Sequence, residues 1–232
     1  EAGILALIPA HNEAIRISPV IEGAARHLPV LVIDDGSSDD TAAVAEAAGA
    51  RVLRQTPNRG KGEALKAGFR QAIAGGAAAV VTLDADGQHD PAEIPAFLAA
   101  WAQRRQRSAV ELVIGARDFD AMPPSRRLAN SLGKRVLGWA TGWEIRDNQS
   151  GYRLIGRRLM EAMLASEEPG FGFEVEMIVE CVRRGWAIEW VPIRTIYGAE
   201  DSHIHPAAHV ARFLTLAWRI RRARDRGAAP AG

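Results

Sequence analysis

Two carboxylates one residue apart, Asp84 and Asp86, followed by Gly87, Gln88 and His89, make the segment of this 232-residue sequence best suited to hold a cation. An apolar run over residues 79–82 leads into them. On an extended backbone, positions i and i+2 face the same way, so both carboxylates converge on one ion while Ala85 turns back into the protein. Oxygen donors at a strand end suit Mg2+ or Mn2+, hard cations that keep coordination positions open for substrate phosphates. An acidic turn ahead of a helix is the other reading of the same residues, because Asp, Gly and the following Pro91 are ordinary at a helix start.

The elements that must position this pair follow from periodicity. Residues 4–8, 30–33, 51–54 and 79–82 read as short buried strands, and 18–27, 42–48, 63–74 and 91–105 as the helices after them. Further along come a strand over 111–115, a basic amphipathic helix over 125–141, a helix from 171 to about 184, a strand over 186–196 and a final helix over 207–226. This alternation predicts an α/β fold: a single Rossmann-like domain with a mostly parallel central sheet and helices on both faces. Ligands of such sheets bind beyond the carboxyl ends of the strands, and the polar clusters here follow the first, second and fourth strands. No G-x-G-x-x-G follows the first strand, which speaks against a dinucleotide-binding oxidoreductase.

Bulk properties narrow the class further. With 29 Lys and Arg against 28 Asp and Glu, the formal charge of +1 gives no generally basic surface, so no nucleic-acid partner is expected. The single cysteine, Cys181, allows no internal disulfide and suits a reducing compartment. No stretch of about 18 apolar residues is present to suggest a membrane span.

Four segments, in order, resemble the family 2 glycosyltransferases of GT-A fold, and more narrowly their dolichol- or polyprenyl-phosphate sugar synthase branch. Residues 8–13 (I-P-A-H-N-E) are similar to that family's I-P-x-Y-N-E, with His11 where Tyr is common, and residues 32–41 to its V-D-D-G-S-x-D-x-T. Residues 84–89 match its metal-binding D-x-D-x-Q-H, and residues 147–153 its acceptor-side D-x-Q-x-G-F-R. The resemblance implies a GT-A domain over 1–226, with a nucleotide-sugar and metal half (1–120), an acceptor half (121–206), a basic amphipathic helix (207–226) and a flexible tail (227–232).

It also implies roles. Pro9, Ala10 and Glu13 would line the base and ribose of a nucleoside diphosphate sugar, and Asp35 would accept a base N–H. Lys61, between Gly60 and Gly62, could approach the nucleotide or be a plain turn lysine. Asp86, with Asp84 and Gln88 directly or through water, would hold Mg2+ or Mn2+ against the diphosphate leaving group. His205, beside His203 in an i, i+2 pair, is a candidate further ligand. On the acceptor side, Arg117, Gln149 and Arg153 would meet the acceptor, the two guanidiniums pairing with a phosphate. Asp147 and Glu174 are the carboxylates to weigh as base or sugar-hydroxyl partner.

The activity expected is metal-dependent, inverting transfer from a UDP- or GDP-sugar to a lipid-linked acceptor such as polyprenyl phosphate. Its place would be the cytoplasm, peripheral at the inner face of an anionic membrane through the basic helices. Transfer to a hydroxyl of a glycan or glycolipid is the alternative within the same chemistry, and it would need a base where a phosphate does not. A catalytically silent nucleotide-sugar sensor is the alternative outside it.

Overall fold

The computed structural model describes residues 3–105, 109–117, 124–170 and 172–194, and residues 217, 218, 221 and 222. His203, His205 and most of the expected last helix lie outside the described residues. The first half alternates strictly: β1 (Ile4–Ala10), α1 (Ile17–Ala25), β2 (Val30–Asp35), α2 (Thr41–Ala47), β3 (Arg51–Gln55), α3 (Lys61–Ala74) and β4 (Ala79–Thr82). A 3-10 turn (Pro91–Glu93) then leads into α4 (Ile94–Arg105), β5 (Val110–Arg117), α5 (Pro124–Thr141), β6 (Arg153–Gly156), α6 (Arg157–Met163), α7 (Gly172–Arg184) and β7 (Ala187–Ile193).

The strands form one seven-stranded sheet in the order β3-β2-β1-β4-β6-β5-β7. β1 runs parallel to both β2 and β4, and β5 parallel to β7. β6 alone is antiparallel to both of its neighbours, β4 and β5. The apolar runs of β1, β2 and β4 belong to strands covered on both faces. In β1, Ala6 and Ile8 pack with Ile21, Phe97 and Trp101 on one side of the sheet. Leu7 packs with Leu65, Phe69 and Phe173 on the other.

The winding reverses where β2 and β4 flank β1, which opens a crevice at the carboxyl ends of these strands. The loops after β1, β2 and β4 meet there. Neither β6 nor α6 is expected from the sequence. β6 has four residues and α6 seven, too few for either period to register.

Candidate active site

β4 ends at Thr82, yet the alternation expected of a strand continues through the next four residues. Leu83 and Ala85 are buried while Asp84 and Asp86 are partly exposed, so the two carboxylates do share a side. Asp86 accepts the backbone N–H of Gln88 at 2.9 Å, a local turn that holds its carboxylate at the crevice. From across the sheet, the Thr82 hydroxyl donates to the Gly151 carbonyl at 2.7 Å and fastens the 147–152 loop beside them. A Cβ at Gly151 would stand 2.6 Å from Asp84 Oδ2, so only glycine lets that carboxylate lie against the loop. His89 is a prop: buried, it accepts the Asp84 N–H through Nδ1 at 3.3 Å and packs on the Tyr152 ring. Burial holds its pKa below the ordinary imidazole value, which favours the neutral ring that this bond requires.

Lys61 is the first residue of α3, and its ammonium lies 2.6 Å from Asp84 Oδ1 and 3.0 Å from Glu174 Oε1. Burial would lower its pKa, but Asp84 and Glu174 reverse that and raise it well above the usual lysine value. For Asp84, burial pushes the pKa up and the Lys61 ammonium overrides it, holding the carboxyl at about 2. The turn that presents Lys61 needs its glycine: Gly60 has φ +93° and no room for a Cβ, which would meet the Pro169 carbonyl at 2.6 Å. Gly62 N–H donates to the same carbonyl at 2.8 Å. Lys61 thus bridges two carboxylates that the sequence places far apart.

On the other side of Asp84, Arg117 at the end of β5 donates to Asp147 twice, Nε to Oδ2 at 2.6 Å and Nη2 to Oδ1 at 2.9 Å. Asp147 is wholly buried and also accepts the N–H of Gln149 and of Ser150. Expected as a base or sugar-hydroxyl partner, it is instead saturated, and it fixes the direction of Arg117. Arg153 also departs from expectation. It has no exposed surface, and its guanidinium donates to the carbonyls of Ser150, Glu174 and Asn148. Those bonds make it a brace inside the molecule. Glu174, the other base candidate, faces Lys61. Gln149 is exposed on the loop. Arg117 lines a hollow of about 300 Å3 together with Arg146, Trp190, Pro192 and Ile193.

The expected nucleotide side is a separate, knitted pair of loops. Asn12 accepts the Ser38 N–H at 2.8 Å and its own N–H donates to the Ser37 hydroxyl at 2.9 Å. His11 Nδ1 donates to the Asp35 carbonyl at 2.9 Å, so the imidazole in the usual Tyr position ties the two loops together. Pro9 and Ala10 end β1 in register with Ile33 and Asp34, and Glu13 is partly buried and paired with Arg16 at 2.8 Å. The Asp35 carboxylate accepts the N–H groups of Arg59 and Gly60, both at 2.8 Å, and the Gln55 amide at 2.6 Å. It therefore shapes the turn before Lys61, and a base N–H would have to share its oxygens.

Among the described residues no group of three His, Cys, Asp or Glu side chains could by itself enclose an ion. Asp84 and Asp86 offer two carboxylates of oxygen-only chemistry with the Gly151 cradle beside them, the composition expected where a hard cation shares its coordination sphere with phosphates.

The chain belongs to glycosyl transferase family 2, whose model matches residues 6–164. It is 36% identical to the glycosyltransferase AglJ of Haloferax volcanii over 84% of this chain, and spans 63% of that protein's length. It is 35% identical to the undecaprenyl-phosphate mannosyltransferase of Micrococcus luteus, over 82% of each chain. The crystal structure of glucosyl-3-phosphoglycerate synthase from Mycobacterium tuberculosis in complex with Mn2+ and uridine-diphosphate-glucose superposes with a TM-score of 0.70 at 25% identity, covering 100% of this chain and 81% of that one. The mostly parallel seven-stranded sheet is the GT-A arrangement that the sequence resemblance implied.

Proposed function

We propose that this chain is a metal-dependent, inverting glycosyltransferase that moves a sugar from a UDP- or GDP-sugar to a lipid-linked phosphate, polyprenyl phosphate, at the cytoplasmic face of a membrane. The observation that carries the acceptor class is the engagement of the carboxylates. Asp147 is taken up by Arg117 and Glu174 by Lys61. Neither of the two carboxylates weighed as a base is therefore unengaged. A hydroxyl acceptor needs a base, whereas a phosphate is already an anion and attacks without one. The mannosyltransferase relative is named for a polyprenyl phosphate, which agrees.

Asp86, Asp84 and Gln88 would hold Mg2+ or Mn2+, directly or through water. The solved synthase contains Mn2+ with its nucleotide sugar, which supports the same requirement here. When bound, the ion supplies Lewis acidity that offsets the charge growing on the diphosphate leaving group. Pro9, Ala10, Glu13 and Asp35 would receive the nucleoside, and Lys61 adds positive charge beside the diphosphate. Arg117, kept in one orientation by Asp147, would bind the acceptor phosphate in the adjoining hollow, with Gln149 at its rim. The ring of Trp190 and Pro192 would shelter the first apolar atoms behind that phosphate.

The test is transfer of labelled sugar from a panel of UDP- and GDP-sugars to a short polyprenyl phosphate, with Mn2+, Mg2+ or chelator. Metal-dependent product on the phosphate is expected. Product only on hydroxyl acceptors, or turnover indifferent to chelator, would overturn the reading.

A further inference from the structure

The bridge made by Lys61 joins two unlike carboxylates. Asp84 is the wetter, its side chain 28% exposed at the crevice, whereas the Glu174 side chain is 6% exposed. Glu174 comes from the first turn of α7, where Phe173 is buried and Arg153 Nη1 donates to the Glu174 carbonyl at 2.5 Å. The dry carboxylate is thus fixed, and the wet one belongs to the cation pair. With its ammonium 2.6 Å from Asp84, Lys61 competes with any cation for the same oxygen.

We propose that Glu174 is a positioning residue that gives Lys61 a second seat, so that Asp84 can be yielded to a divalent cation. The inference rests on the reading of Asp84 and Asp86 as a cation site. A cation arriving at Asp84 repels the ammonium, and a lysine that is 15% exposed has little water to turn to. Glu174 receives it 3.0 Å away with almost no movement of the stem. Without that carboxylate, the arriving cation would leave Lys61 with one anionic neighbour fewer in a nearly buried position. Stripping a partner from a buried charge is costly, and the cost would appear in the affinity of the cation. Glu174 acts here through Lys61 and touches no reacting atom.

The experiment is Mn2+ titration by electron paramagnetic resonance, with Mn2+ alone and with Mn2+ plus UDP. The proteins compared are the intact chain, Glu174→Gln, Lys61→Met, the double variant and Asp86→Ala, each checked for folding by circular dichroism. Glu174→Gln should weaken Mn2+ binding on the order of tenfold, a difference of about 1.4 kcal/mol. Lys61→Met, which removes the competitor, should bind Mn2+ at least as tightly as the intact chain. In the Lys61→Met background, Glu174→Gln should then have little further effect. Glu174→Asp keeps the charge but withdraws it by a methylene, and should fall between; it carries the test if the Gln variant does not fold. Unchanged affinity in both Glu174 variants, or an undiminished effect in the Lys61→Met background, overturns the second seat while leaving the cation site intact. Wild-type Mn2+ binding by Asp86→Ala overturns the cation site and this proposal with it.

Discussion

Lys61, Arg117 and Arg153 bring three positive charges beneath the strand ends, and Asp84, Asp147 and Glu174 bring three negative ones. Their charges sum to zero, with Lys61 shared by Asp84 and Glu174, Arg117 on Asp147 and Arg153 on backbone carbonyls, and Asp86 is a further, partly exposed carboxylate. Replacing Asp86 by Ala should therefore remove Mn2+ dependence and lower transfer by at least about a hundredfold, the scale of losing a transition-state electrostatic group. The circular dichroism spectrum should not change, because the side chain is outside the core. Turnover within a few fold of the parent would sink the assignment. A second prediction concerns Glu93, whose Oε2 is buried without a hydrogen-bond partner while Oε1 accepts the Arg194 N–H at 2.9 Å. Burial raises its pKa above 4.5, so the folded protein holds this proton more tightly than the unfolded chain does. Its contribution to stability is then most favourable below 4.5 and is lost as pH rises through the raised value. Glu93→Gln should accordingly raise the Tm at pH 7, by no more than about 3 °C for a partly buried group, and change nothing at pH 4. Equal Tm values at pH 7 would count against it. The carboxylate pair was legible in the sequence because alternation and oxygen chemistry are local properties. Arg153 and Asp147 were not, because residue type gives a charge but not the partner. Their partners, the Glu174 carbonyl and Arg117, are brought to them only by the folded sheet.

Among the elements, those of the parallel half could be read directly, since each buried strand is a continuous apolar run and each helix is long enough to show its face. The segment 153–163 could not. β6 has no alternation in four buried residues, and α6 begins on the very next residue, so neither has a boundary signal. The start of α3 depends equally on something remote. Gly60 combines φ +93° with a backbone carbonyl in the space its Cβ would fill. Gly60→Ala should cost about 1–3 kcal/mol, the range for backbone strain at a site that cannot relax. Urea unfolding measures it, and a cost below about 0.5 kcal/mol would mean that the 166–170 loop gives way. Mn2+ affinity should fall alongside, because the same residue sets where Lys61 begins.

At the scale of the whole molecule, no described helix is long and apolar enough to cross a membrane. Two exposed tryptophans nevertheless stand together with arginines. Trp139 near the end of α5 is 56% exposed with the Arg221 guanidinium 5.4 Å from its ring, and Trp218 is 54% exposed with Arg222 at 4.7 Å. Amphipathic rings flanked by cations suit the headgroup region of an anionic bilayer, where each basic side chain contributes about 1 kcal/mol. Changing Trp139 and Trp218 to Ser should abolish co-sedimentation with anionic liposomes at low salt while leaving UDP binding intact. Retained sedimentation, or a parent protein that stays in the supernatant, would return both rings to the solvated surface.

The antiparallel strand β6 limits motion at the centre of the sheet. It is bonded on both edges, to β4, which leads to Asp84, and to β5, which ends in Arg117. Neither flank can slide without breaking central ladders, so the strand ends that carry Asp84 and Arg117 belong to one stiff body, and adjustment falls to side chains and loop tips. Amides of residues 153–156 should then exchange with deuterium only through global opening. Adding Mn2+ and UDP should slow them only as far as the ligands raise the stability of the whole fold, while the amides at 86–88 slow independently and by more.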